Sequence, residues 1–89
     1  MSDEVIIEYI TSKLKIFKDF SRLASPPKIK FSKNETTITI SLDIIVYFGV
    51  NIPQLCYDIQ SKIKRYVEKT TKLNVKSIDI HVEGIDKSL

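Results

Sequence analysis

The sequence predicts an α+β domain of order helix-strand-strand-helix-strand, with two helices packed on one face of a three-stranded mixed sheet. Three observations carry that prediction. Apolar residues recur at helical spacing in two separate stretches, a long period-two alternation runs from Thr37 to Phe48, and "FGVNIPQLC", residues 48–56, joins strand to helix. Eighty-nine residues suffice for one modest core, so 1–89 reads as a single domain. A hydrophobic fraction of 43% and a charged fraction of 28% are ordinary for a folded globular chain, so disorder is not the default reading.

The first helix is expected from about residue 3 to about residue 19. Ser2 is its cap, Asp3 and Glu4 meet the positive end of its macrodipole, and Ile6, Ile10, Leu14 and Phe17 form its buried stripe. Pro26 and Pro27 cannot continue a helix, so the chain turns and extends there. Lys28 to Phe31 and Thr37 to Phe48 then alternate as strands, joined by the hairpin-like "SKNET" and therefore antiparallel. In the longer strand Ile38, Ile40, Leu42, Ile44, Val46 and Phe48 take the core face. Thr37, Thr39, Ser41 and Asp43 take the wet face, whose upper end is made apolar by Ile45 and Tyr47.

At the joint, Asn51 is placed as N-cap with Gln54 three residues on, Val50 and Leu55 as a hydrophobic staple, and Pro53 in the first turn. Gly49 supplies the backbone freedom to leave the strand. The second helix should bury Ile52, Cys56, Ile59, Ile63 and Val67, with Tyr66 beside them, and end around Thr71. Val75 to Ile85 alternates again, with Ile78, Ile80 and Val82 inward and Ser77, Asp79, His81 and Glu83 outward. Strand, helix and strand in this order predict a parallel pair. Only the final "DKSL" reads as frayed.

Composition limits the chemistry. A net charge of +3 permits attraction to nucleic acid or anionic lipid without demanding it. The single cysteine, Cys56, rules out an intrachain disulfide and points to a reducing compartment. The opening "MSDEVIIEYI" lacks the basic region of a signal peptide, and no apolar run reaches membrane-spanning length. The expectation is a cytoplasmic protein that reaches a membrane only through a partner, without inserting directly.

His81 shares its strand face with Asp79 and Glu83, but alternate strand neighbours stand roughly 6.5 to 7 Å apart, too far to close a metal site without further ligands. Cys56 lies on a buried stripe while His81 faces outward, so the two make no nucleophile pair. Two glycines cannot build a phosphate-cradling loop. No catalytic residue, cofactor site or metal site is assigned, and the chain is expected not to be an enzyme. Lys62, Arg65, Lys69 and Lys72 form a basic stripe along the second helix, echoed by Lys15, Lys18 and Arg22 on the first. Cations belong near a helix C-terminus and Asp58 is placed to pair with Lys62, so a solvated face is the plain reading; anionic partners are the sharper one. The element order loosely resembles a K-homology RNA-binding fold, yet that fold's Gly-x-x-Gly clamp is missing, which disfavours a small basic RNA-binding module.

From Asp43 to Ile85 the chain resembles the alkaline shock protein family of cytoplasmic bacterial envelope-stress proteins. Tyr47, Gly49, Asn51, Ile52, Gln60, Thr71, Leu73, Val75, Asp79, Val82, Gly84 and Ile85 match or nearly match its strand, turn, helix and closing-strand pattern. Lys72 stands where the family has glycine at the helix exit, so Asn74 or a different helix end is expected to make that turn. The resemblance implies a non-enzymatic protein acting by protein contacts in envelope stress or homeostasis, held at the membrane by a small membrane-anchored protein. An alternative it implies is regulation of fatty-acid synthesis by binding acetyl-CoA carboxylase. The residues themselves suggest where contacts form: Ile45 and Tyr47 on the long strand with Asp79, His81 and Glu83 on the last. Exposed strand edges invite homo-oligomers.

Overall fold

A computed structural model describes residues 3–88. Its elements are α1 (Asp3–Leu14), β1 (Phe20–Leu23), β2 (Lys28–Phe31), β3 (Thr37–Tyr47), α2 (Ile52–Thr71) and β4 (Asn74–Asp86). The proposed Ser2 cap lies outside the described residues.

β3 is the centre of the sheet. On one side β4 runs parallel to it for its whole length, with Ile38 beside Val75, Ile40 beside Ile78 and Leu42 beside Ile80. On the other side β1 and β2 both run antiparallel to it, β2 along Ile38 to Ser41 and β1 along Ile44 to Val46. The sheet therefore has four strands where the sequence predicts three, but it is three strands wide, because β1 and β2 form one edge broken at Ala24–Pro27. Pro26 and Pro27 cannot donate to a ladder, so the break falls where the chemistry requires it.

The helices cover one face. Ile6, Ile10 and Leu14 of α1 and Leu55, Ile59, Ile63 and Val67 of α2 are buried against Ile38, Ile40, Leu42, Ile44 and Val46 of β3, with Val75 and Ile78 of β4 completing the core. No polar residue is buried among the described residues, so the core meets no desolvation cost for an unpaired group.

At the ends of the elements the structure departs from expectation at several points. α1 ends at Leu14; Lys15, Ile16 and Phe17 donate to carbonyls three residues back, and this tighter turn, not a fourth helical turn, carries Phe17 into the core. Phe48 is 64% exposed, because β3 stops at Tyr47 and the Gly49 turn (φ +87°) ends the alternation that would have buried it. Leu55 takes the buried position assigned to Cys56, which is half-buried at the stripe's edge. Lys72 itself adopts the left-handed conformation, φ 65°, and its N–H donates to the Glu68 carbonyl; Asn74 starts β4.

The α2 start follows the sequence closely. The Asn51 side-chain oxygen accepts from the Gln54 N–H at 3.1 Å, and Pro53 sits in the first turn. The Gln54 side chain does not reach back to complete a capping box; its amide donates to Asp58 instead. Where fraying is expected, strand pairing continues through Asp86 and the Ser88 N–H donates to the Asp86 carboxylate; Leu89 lies outside the described residues.

Candidate functional site

The helices leave the opposite face of the sheet uncovered, and this face brings the candidate contact residues together. Because side chains alternate along β3, burying Ile38 to Val46 turns Ser41, Asp43, Ile45 and Tyr47 outward. The parallel register sets Asp79 beside Ser41 and His81 beside Asp43. A bulge follows at Glu83, which leaves it exposed and shifts the pairing so that Gly84 lies beside Ile45 and Asp86 beside Tyr47. The Ile45 side chain lies over Gly84, close enough that a Cβ there would stand 3.2 Å from the Ile45 Cδ1.

Two carboxylates bind the outer strands across β3. Asp43 accepts from the Ser25 hydroxyl at 2.9 Å, and its other oxygen stands 3.4 Å from the His81 Nδ1. Its backbone carbonyl accepts the Ala24 N–H at 2.7 Å, so one residue of β3 holds both the broken edge and β4. Asp86 accepts from the Ser21 hydroxyl at 2.6 Å and lies 3.3 Å from the Arg22 guanidinium. The Ser21 hydrogen bond first, then those from Ser88, with a smaller contribution from Arg22, lower the Asp86 pKa to about 2. His81 is 67% exposed, so its imidazole is the part of the Asp43 pair presented to solvent.

The β4 edge is partly occupied by α2. The Gln60 amide donates to the Ile78 carbonyl at 2.8 Å, and the Glu68 carboxylate accepts the Val75 N–H at 2.9 Å. Two side chains of α2 thus satisfy backbone groups on the lower half of β4. Such capping blunts a strand edge that would otherwise template pairing.

The basic stripe is divided. Lys62, Arg65 and Lys69 join Lys13, Ile16 and Tyr66 in a groove of about 360 Å³ between the helices, whereas Lys72 forms the helix cap and does not line it. Of the first-helix echo, Arg22 faces Asp86 and Lys18 lies in a mixed-charge depression with Asp19, Asn51 and Asp58; Lys13 is the cation that joins the groove. Asp58 accepts from Gln54 and makes no ion pair with Lys62. Sequence reading missed Lys13 because it is half-buried beside the α1 stripe. Its Nζ stands 4.9 Å from the Tyr66 ring centre.

Among the described residues no group of three His, Cys, Asp or Glu side chains is placed to share a metal ion, and no helix is long and apolar enough to cross a membrane. Cys56 lies on the helix layer, on the other side of the sheet from the outward-facing His81. Burial pushes its thiol above the ordinary value, which lowers the thiolate fraction a nucleophile needs.

Comparison with known proteins places this architecture. The chain is 29% identical over 70 residues to the uncharacterized protein YqhY of Bacillus subtilis (strain 168), covering 79% of this chain and 52% of that one. It is 38% identical over 48 residues to YloU of the same organism, covering 54% and 40%. It is 33% identical over 64 residues to Spy1535 of Streptococcus pyogenes serotype M6, covering 70% and 50%. The chain thus spans about half the length of the curated relatives it matches. Among solved structures, a copper form of a variant MamM CTD superposes with a TM-score of 0.65 at 12% identity, covering 96% of this chain and 100% of that one, which shows a shared fold. The family model for the alkaline shock protein 23 family, described as having cell envelope-related function, matches residues 4–87 and so takes in every strand, all of α2 and all but the first residue of α1. The chain belongs to the alkaline shock protein 23 family.

Proposed function

We propose that this domain is a non-enzymatic contact module in envelope stress or homeostasis, binding a protein partner through the open face of its sheet. The observation that carries the reading is the uncovered face itself, where Ile45 and Tyr47 lie next to the exposed imidazole of the Asp43–His81 pair. Apolar side chains beside a solvent-facing hydrogen-bonding group are what a protein interface uses for area and for orientation. Family membership supports the envelope setting. The raised Cys56 pKa and the separation of that thiol from His81 support a role without covalent catalysis. The capped lower half of β4 leaves its upper half, Asp79 to Asp86, as the stretch of edge continuous with this face, suited to a partner strand or a second copy.

Affinity purification of the tagged protein after mild crosslinking, washed at low and high salt, tests the reading. Wild type is expected to retain a membrane-anchored protein or a carboxylase subunit at high salt, and the identity recovered chooses between scaffold and regulator of fatty-acid synthesis. The doubly substituted Tyr47→Ala, His81→Lys protein is expected to lose it. Equal recovery by both proteins would refute the assignment to this face. Recovery mainly of RNA that washes off steeply with salt would favour the nucleic-acid reading instead.

A further inference from the structure

We infer that the groove between α1 and α2 docks on an anionic lipid surface. This goes beyond the contact reading of the sheet face and rests on the other layer of the molecule. The groove carries four cations, Lys13, Lys62, Arg65 and Lys69, and no acid among its lining residues. None of the four has an ion-pair partner among the described residues, where Arg22 faces Asp86 and His81 lies 3.4 Å from Asp43. The nearby acids are engaged elsewhere, Asp58 by the Gln54 amide and Glu68 by the Val75 N–H. Asp43, Asp79, Glu83 and Asp86 belong to β3 and β4, across the sheet from the groove. Four unpaired cations in one groove make a local positive potential suited to a negative surface, whereas on the sheet face Arg22, Lys28 and Lys30 stand among the carboxylates.

Two details favour lipid over other polyanions. Lys13 stands over Tyr66 at 4.9 Å from the ring centre, and Lys62 over Phe17 at 5.7 Å. The rings steady the charged ends at the surface, and the same stacking occupies the faces on which a nucleic-acid base would lie. Ile16, 54% exposed, stands in the lining among the cations, where an aliphatic side chain meets the boundary between headgroups and acyl chains. Since both helices form the outer layer of the fold, nothing among the described elements stands between this groove and a flat surface.

The test is cosedimentation of the full chain with vesicles of phosphatidylcholine alone and of phosphatidylcholine and phosphatidylglycerol in equal parts, at low and high salt. Binding is expected to the phosphatidylglycerol vesicles only, and to weaken with salt. Each cation contributes roughly a fivefold change in partitioning near such a surface, so Lys62→Ala and Arg65→Ala should each lower it about fivefold and the double variant roughly 25-fold. Lys30→Ala removes the same charge from β2, and should have a far smaller effect. These are solvent-exposed positions, and an unchanged thermal melt shows that folding is retained. Equal binding to both vesicle types, or equal losses for Lys30→Ala and the groove variants, would overturn the assignment. So would groove-dependent binding of polyglutamate or RNA without binding to vesicles.

Discussion

Lys72 offers the sharpest test of how this sequence holds its fold. It sits just past α2 at φ 65°, with its N–H bonded to the Glu68 carbonyl at 3.0 Å, in a left-handed conformation that helix ends of this kind usually give to glycine. Left-handed backbone costs a residue with a Cβ about 1 to 2 kcal/mol, while glycine avoids that cost and loses about 0.4 to 1 kcal/mol through its freer unfolded chain. The cation itself stabilises the helix C-terminus by about 0.3 to 1 kcal/mol, and both Lys72→Gly and Lys72→Ala remove it. The difference between these two variants therefore isolates the backbone. Lys72→Gly should be about 1 kcal/mol more stable than Lys72→Ala, a separation of about 4 to 8 °C in Tm for a domain of this size. Paired thermal and urea melts read it. Equal stabilities, or a less stable glycine variant, would refute the claim that the left-handed cap is strained by its side chain.

Further predictions concern the opposite end of the joint, the acid limb of stability and the thiol. Gly49 has φ +87° with open space around its Cβ position, so Gly49→Ala should cost about 1 kcal/mol from backbone strain alone; an unchanged urea midpoint would contradict this. The Asp86 pKa is lowered from 3.8 to about 2, so the stability it contributes is fully present above pH 4 and is lost as pH falls toward 2. Asp86→Asn should therefore be less stable than wild type above pH 4, with the gap closing toward pH 2 in melts across that range; a constant gap would count against the bonds to Ser21 and Ser88. Cys56 should react with a thiol reagent at neutral pH more slowly in the folded protein than in urea, and equal rates would show that burial does not protect it.

Much of this fold is legible in the sequence because its signals are local. The alternation in β3, the Asn51 cap, the stripe through Ile59, Ile63 and Val67 and the end of α2 at Thr71 each follow from residues within a few positions of one another. β1 is not legible, for a physical reason: the register shifts between Phe20 and Arg22, so its core-facing residues, Phe20 and Leu23, lose the spacing of two that marks a strand. Phe17 adds to the concealment, since it continues the Ile6, Ile10, Leu14 spacing although the helix has already ended. Phe48 was misplaced by the opposite error, an alternation extended one residue beyond its strand.

The candidate face was legible as a set of outward residues but not as a set of pairs. Asp43 and His81 are 38 positions apart, and only the parallel register of β3 and β4 brings them together. The Ser21–Asp86 bond spans 65 positions and depends on the hidden strand. The groove shows the same limit: Lys62, Arg65 and Lys69 stand out by spacing on one helix, while Lys13 joins them only through helix packing.

The central claim is that protein partners bind the open sheet face and not the outer surface of the helices. Replacing Asp79, exposed on β4 beside Ser41, or Tyr57, 65% exposed on α2, by photoreactive benzoylphenylalanine puts one crosslinking probe on each. Irradiation in cells is predicted to give a discrete protein adduct from position 79 and none of the same size from position 57. The same adduct from both positions, or one from position 57 alone, would contradict the account.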